Sequence, residues 1–538
     1  MDAENINDKG YRPPLDFNKF IGKFPDFVPE VKRYKDTNVS FGMWTFTLKF
    51  SKSDNGEITS TFAGVYRNGF MAYMEHYGFY KKFRKDNSYF FLRCVDNIIE
   101  EIDPINISDF LMKHQKEKGN EISFTMDIDG QQVEFVATIE LQDETIKRQC
   151  SSIFSKKFLE LLPTFEKEIL KDNATECFKL FKNKIYKITT EGFTVLDYKD
   201  LDGKCVWKNH IIDREIILID DFKDCHYYRF IFNVSDAEND LDRHISFKSS
   251  IGYLLHKYNS PEKGQCIILY DEVITDITKP QGGTGKGVFA RALSFLSDLV
   301  KIDGKKFDEN DRFCFQRVSD STQIVFFDDV KTKLGFDRFN SILTDGWNIE
   351  KKNKDEFPIP PEDSPKVVMS ANSILDCEGS TRKRRQHILE FANYYSKHII
   401  KGNEEPIKQM HGCIFFSADW DDTEWNKFYS FMLHCICDYM KDGLCYYEPK
   451  NVKSNRLRQT TCDDFAEWVS QQNFELNKTY ETKQYFEEYK NTYCPDENFH
   501  QRKFTGWLKK FASLSDWVFS QPKPSGGVTF FRFNGVPK

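Results

Sequence analysis

Three short apolar runs, CIILY (266–270), TQIVFFDD (322–329) and KVVMSAN (366–372), lie within 107 residues of one another, and polar residues follow each. Unbroken rather than alternating hydrophobicity marks strands buried on both faces, as in a parallel sheet covered by helices. Polar side chains at the carboxyl ends of such strands are where a site is built. From 265 to 400 the chain therefore reads as an α/β unit of buried strands alternating with helices. At 538 residues the chain exceeds what one hydrophobic core holds, so this unit shares it with further domains.

The flanks divide by pattern. Residues 1–40 form a polar, Pro-containing arm, and 41–150 a mixed α/β N-terminal domain without an assigned role. In that domain β-rich runs such as MWTFTLKF and SYFFLRCVDNIIEEI alternate with turn signals, around a helix NISDFLMKHQKE capped by Asn106 or Ser108. Residues 151–258 form a helical and β-hairpin region leading into the α/β unit at 259–400. Within it, SSIFSKKFLELLPTFEKEIL reads as helix until Pro163, and 240–258 as one amphipathic helix. A helical lid follows over 401–455, and 463–538 carries three helical patterns and a hairpin, the makings of a winged helix.

Composition excludes several classes. Charged residues at 30% and hydrophobic residues at 40% indicate a globular chain, and a net charge of −7 rules out a polybasic binder as a whole. The 14 cysteines include no C-x-x-C pair, so no zinc pattern emerges and reduced thiols are expected. The start of the chain has no apolar signal core, and no window is apolar over the ~18 residues of a membrane span, so a cytoplasmic protein is expected.

Between the first two runs lies TKPQGGTGKGVF (278–289). A phosphate cradle needs glycines that let backbone N–H groups converge on anionic oxygens, a lysine for the outer phosphates, and a helix N-terminus. Gly282, Gly283, Thr284, Gly285, Lys286, Gly287 and Val288 fit those parts, with VFARALSFLSDLV as the helix. The G-x-x-x-x-G-K-S/T pattern is missed twice: Pro280 replaces its first glycine and Gly287 its hydroxyl residue. Asp328 and Asp329 end an apolar strand 42 residues after Lys286, Asp328 suited to hold Mg²⁺ and Asp329 to polarise water. Asn372 ends the next strand, placed to sense a γ-phosphate. Arg382, Lys383, Arg384 and Arg385 follow; an arginine finger for a neighbouring subunit's ATP would come from this cluster, with Arg385 favoured. Asp271 and Glu272 precede the loop and read as the end of the strand feeding it, with a structural or supporting role.

This order of elements resembles the superfamily 3 helicases, a branch of the AAA+ ATPases of viruses, phages and plasmids, and more closely the helicase part of phage and poxvirus-like primase-helicases. The likeness spans about residues 60–450 and is most specific around the loop. It implies a multidomain α+β protein with a central α/β P-loop AAA+ ATPase domain and a C-terminal winged-helix-like domain. It also implies ATP and Mg²⁺ as ligands, a homo-oligomeric ring, commonly a hexamer, and single-stranded DNA in its channel. A primase, polymerase or origin-binding partner in a phage-infected or plasmid-bearing bacterium would accompany it. LTDGWNIEKKNKDEFPI matches the family's channel hairpin, with Lys351, Lys352 and Lys354 as phosphate contacts.

Two other readings remain at this stage. Asp127 and Asp129 of MDIDG have the D-x-D spacing of a primase-polymerase, yet no histidine motif accompanies them near His210 or His226, and DIDG is also a hairpin turn. An origin-binding or scaffold protein with weak ATPase activity is the other. Residues 451–538 hold 13 Lys/Arg against 10 Asp/Glu. In a winged helix Arg502, Lys503, Lys509 and Lys510 would lie on the recognition helix and Lys523 and Arg532 on the wing.

Overall fold

The computed structural model describes residues 36–535 apart from 42–43, 53–55, 119–120, 129, 261, 263, 274–282, 332–333, 335, 353–354, 376–383, 398–404 and 494–497. The chain forms two compact units, one of residues 1–170 and 199–209, the other of 171–198 and 210–538.

The first unit is built on antiparallel pairing. Asp36–Phe41, Trp44–Lys52 and Ile58–Val65 form one sheet. A second contains Phe79–Phe83, Tyr89–Val95 and Ile98–Ile102, with Val206–Trp207 added in parallel. Asp96 and Asn97, at φ +50° and +63°, make the tight turn between the last two antiparallel strands. The expected helix begins at Pro104, two residues before the first expected cap. Proline suits a first helical turn, and Asn106 instead accepts the Asp103 N–H at 2.9 Å. The helix expected up to Pro163 lies earlier, at Ile139–Ile153, where Thr138 accepts the Leu141 N–H; only a short turn, Lys156–Leu159, follows.

In the second unit, five strands form one parallel sheet: β1 (Cys266–Asp271), β2 (Leu299–Asp303), β3 (Ile324–Asp328), β4 (Lys366–Ser370) and β5 (Gln386–Phe391). Their spatial order is β2-β3-β4-β1-β5. Ile267, Leu269, Phe326 and Val368 enter one core, and Ile268, Tyr270, Phe327 and Met369 enter the core on the opposite face. That two-sided burial explains why these strands read as unbroken apolar runs. The first core is completed by α1 (Leu241–Leu255), α2 (Lys286–Leu293) and α3 (Asp422–Asp442). Helix α1 is buried on nearly every side rather than amphipathic, and a Cβ on Gly252 would lie 2.1 Å from Cys435 O on α3. Helix α2 stops at Leu293, shorter than its pattern suggested, because Leu299 already pairs with Ile324 in the sheet.

On the other face Trp347–Ile349 pairs with Phe357–Ile359 in an antiparallel hairpin. Trp347 and Ile349 are buried against Phe315 and Phe357, which anchors the hairpin's base. The C-terminal region begins with α4 (Val452–Thr460) and continues with α5 (Asp463–Gln471), α6 (Thr482–Tyr493) and α7 (Gln501–Leu514). A three-stranded antiparallel sheet of Thr479–Glu481, Phe530–Gly535 and Trp517–Ser520 closes it around Phe465, Trp468, Phe504 and Phe531.

Candidate functional site

The carboxyl ends of β1, β2, β3 and β4 lie level with one another: Asp303 is paired in register with Asp328, Phe327 with Met369, and Leu269 with Ser370. From β1 the chain crosses to β2 at the far edge of the sheet, then fills inward through β3 and β4. A crevice therefore opens beyond the ends of β1 and β4, where open α/β sheets bind ligands.

Helix α2 starts in that crevice. Gly285 at its N-cap has φ +103°, and an added Cβ would lie 2.6 Å from the Phe230 ring, so both backbone conformation and space require glycine. Gly283 is also left-handed, at φ +108°. Lys286, the first helical residue, donates to Asp271 Oδ2 at 2.5 Å and to Asn372 Oδ1 at 3.0 Å. Thr284 Oγ1 donates to the other Asp271 oxygen at 2.5 Å, so its hydroxyl is committed to Asp271. Gly287 has ordinary helical backbone, and nothing lies within 4 Å of where its Cβ would be. Gly282 lies outside the described residues.

The network continues across the crevice. Asn372 Nδ2 donates to Asp329 Oδ1 at 2.8 Å. Ser370 Oγ accepts the Asp329 N–H at 2.8 Å and donates to Asp328 Oδ1 at 2.9 Å. Asp329 sits at φ +59°, a conformation Asp tolerates better than most side chains, which turns it back toward Asn372. Lys301 on β2 pairs with Asp328 Oδ2 at 2.6 Å, and Lys305 in the following turn pairs with Asp329. Lys286, Asp271, Asp328, Asp329 and Asn372 thus converge. The sequence reading did not single out Lys301, Lys305 or Ser370; the run LVKID followed by Gly304 was the available signal for a strand carrying Lys301.

Other expected residues fall elsewhere. Arg385 is 7% exposed and donates from Nη1 to Gly264 O at 2.9 Å, while Arg384 beside it is exposed. Arg382 and Lys383 lie outside the described residues. On the hairpin, Lys352 is exposed and Lys351 sits 5.3 Å from the Phe357 ring centroid; Lys354 lies outside the described residues. On α7, Arg502, Lys503, Lys509 and Lys510 are all exposed on one side. Lys503 lies over Trp507, Lys509 over Phe519, and Lys510 donates to Thr460 O at 2.5 Å. Lys523 is exposed, whereas Arg532 is tied to Thr479 Oγ1 at 2.7 Å. In the first unit Asp127 accepts the Gly130 N–H at 2.9 Å and Gln132 Nε2 at 3.1 Å in a hairpin turn; Asp129 lies outside the described residues.

A family model described as a family of unknown function (DUF5906) matches residues 278–385, the stretch from the glycine loop to the arginine cluster. No curated protein matches the chain. Among solved structures, the C-terminal region (305–718) of NrS-1 is 13% identical, with 85% of this chain and 96% of that one covered at a TM-score of 0.37. A JCV helicase is 12% identical, with 47% of this chain and 72% of that one covered at a TM-score of 0.23. Among the described residues no helix is long and apolar enough to cross a membrane.

Proposed function

We propose that this chain is an ATP-hydrolysing translocase of superfamily 3 helicase type, a P-loop AAA+ motor acting on single-stranded DNA in phage or mobile-element replication. The observation that carries the reading is the hydrogen-bonded line Lys286–Asn372–Asp329, with Asp328 alongside, at the ends of adjacent parallel strands. A glycine-rich turn with no ligand has no need of a lysine, an amide and two carboxylates converging in one crevice.

In this reading the backbone N–H groups of 283–287 and the Lys286 ammonium bind the phosphates. Asp328 would hold Mg²⁺ through a hard carboxylate oxygen, with water in place of the hydroxyl that Gly287 lacks, and an ion held there would supply charge to neutralise the phosphates. Asp329 takes a proton from the attacking water, and Asn372, bonded to both Lys286 and Asp329, orients that water against the terminal phosphate. Arg384, exposed where Arg385 is buried, is the better finger for a neighbouring subunit's site, which requires a ring, a hexamer in this family. The 347–359 hairpin carries Lys351 and Lys352 to the DNA backbone, and the C-terminal domain acts as a winged helix through Arg502, Lys503 and Lys509.

The test is DNA-stimulated ATP turnover measured alongside native mass. Turnover abolished in Lys286→Ala, and a nucleotide-dependent ring whose activity is lost with Arg384→Ala, are expected. Turnover unchanged by Lys286→Ala would sink the reading.

A further inference from the structure

Helix α4 belongs to two cores at once. Leu457 is buried in the core of the C-terminal domain, with Phe465 and Trp468. Val452, near the other end, packs against the core on the hairpin-bearing face of the parallel sheet. Asn455 and Gln459 are four residues apart and so share a helix face, roughly opposite Leu457. Both reach the strand ends that form the nucleotide site.

Gln459 clamps one residue by both its backbone groups. Its Oε1 accepts the Ile374 N–H at 2.9 Å, and its Nε2 donates to Ile374 O at 3.2 Å. Ile374 is two residues beyond Asn372, whose amide bonds Lys286 and Asp329. The next residue is held too: the Leu375 N–H donates to the Tyr270 hydroxyl at 3.0 Å, from the residue before Asp271. Asn455, 1% exposed, donates from Nδ2 to Glu272 O at 3.0 Å, one residue beyond Asp271. At the start of the helix, the Lys450 and Asn451 N–H groups donate to the buried Glu390 carboxylate on β5, at 3.1 and 2.9 Å. The far end is held by Lys510 of α7 through Thr460 O.

We propose that Gln459 and Asn455 are positioning residues for the nucleotide site, and that α4 couples the occupancy of that site to nucleic-acid binding by the C-terminal domain. The inference rests on the reading above, in which Asn372 addresses the terminal phosphate. The Gln459 amide is half-buried, and having exchanged water for two backbone bonds to one residue it holds that partner in both its donor and its acceptor, so a shift of either breaks a bond. Movement of Asn372 toward a phosphate therefore pulls Ile374, and Ile374 cannot shift without α4 following or the clamp breaking. Coupling of this kind is reciprocal: whatever nucleotide does to DNA affinity, DNA does to nucleotide affinity by the same factor.

The full-length protein tests this with a Gln459→Leu variant, which keeps the volume and removes both bonds, and a Gln459→Glu variant, which keeps only the acceptor for the Ile374 N–H. The probes are a fluorescent single-stranded oligonucleotide and a non-hydrolysable ATP analogue. In the wild type, oligonucleotide affinity is expected to change at least about fivefold on adding the analogue, the lower range of allosteric coupling. In Gln459→Leu the ratio falls to within about twofold of unity, and kcat falls about tenfold or more while KM for ATP holds, because the binding groups are untouched but the amide is misplaced. Gln459→Glu falls between the two, and carries the test alone if the leucine variant does not fold. A merely structural role would lower folded yield without changing the affinity ratio of the folded fraction. Wild-type ratios in both variants, or a wild type whose DNA affinity ignores nucleotide, overturn the inference. Turnover retained in Lys286→Ala removes the underlying reading and this inference with it, and that failure is seen without any Gln459 variant.

Discussion

The Asp271 carboxylate is the residue whose replacement most directly probes how the site is poised. It accepts from Lys286 and Thr284, both at 2.5 Å, and the Asp271 and Lys286 side chains are only 8% and 11% exposed. Replacing Asp271 with Asn keeps an oxygen for the ammonium but removes its counter-charge. Unpairing a buried ion pair costs about 3–5 kcal/mol, and the remaining hydrogen bond returns part of it, leaving ~2 kcal/mol in the nucleotide-free protein. Phosphate oxygens arriving at Lys286 restore the missing counter-charge. The same change removes a repulsion: a carboxylate about 5 Å from one phosphate charge, at an effective dielectric of ~20, costs about 3 kcal/mol. Both effects favour nucleotide, so Asp271→Asn should bind ATP at least about tenfold more tightly, at 1.4 kcal/mol per decade. Calorimetric titration with a non-hydrolysable analogue at pH 7.5, beside Lys286→Ala as the non-binding control, measures it. Equal or weaker binding in Asp271→Asn would refute the reasoning, because it would mean that Asp271 does not compete with phosphate for Lys286.

Three further outcomes follow from the geometry. Gly285→Ala forces a Cβ into φ +103° and against Phe230, costing about 1–2 kcal/mol from the backbone alone; thermal unfolding should fall and nucleotide binding weaken about tenfold or more. Gly287→Ser has open space and ordinary helical backbone, so it should stabilise α2 by about 0.5 kcal/mol and lower the Mg²⁺ concentration needed for half-maximal turnover, read by Mg²⁺ titration. Burial holds His244 and His387 down to about 4, from an ordinary value near 6.5. The unfolded chain protonates these rings first, so the stability is present above pH 6.5 and is lost as pH falls toward 4. At pH 5 the loss is about 2 kcal/mol for each ring relative to pH 8, measurable by denaturant unfolding at both pH values.

What could be read from the sequence depended on how locally each feature is specified. The strands β1, β3 and β4 were legible because burial on both faces leaves a run with no polar interruption. The hairpin at 347–359 was legible because Trp347 and Ile349 alternate with polar residues and must both turn to one core. Strand β2 was not, since it is an edge strand: LVKID mixes Lys301 into its run, and the preceding residues continue a helical pattern that ends only because Leu299 finds Ile324 as a partner. The Pro104 start of a helix was obscured by two good capping residues just inside it. Arg385 could not be distinguished from Arg384 by pattern, because one side chain folds inward onto Gly264 and its neighbour does not, and that choice is made by packing between distant segments.

The same distinction explains why Gly287 looked like a defect. A motif compares the chain with a template one position at a time, and there a missing hydroxyl is a missing ligand. The folded site is balanced as a set: Lys286 faces Asp271, Lys301 faces Asp328 and Lys305 faces Asp329, three ammonium groups against three carboxylates at the ends of β1 and β3. In the function proposed above, nucleotide would enter by exchange, its phosphates drawing Lys286 from Asp271, and Asp328 would have to leave Lys301 in order to hold a cation. In such an exchange the strength of the site is set by how firmly each lysine holds its carboxylate. Lys301 is exposed and its pair is correspondingly weak, whereas the Lys286 pair is buried. On that proposal the costly step is the release of Asp271 rather than the filling of one metal-ligand position by water, and the residue expected to limit nucleotide affinity most stands at the end of β1, outside the loop motif itself.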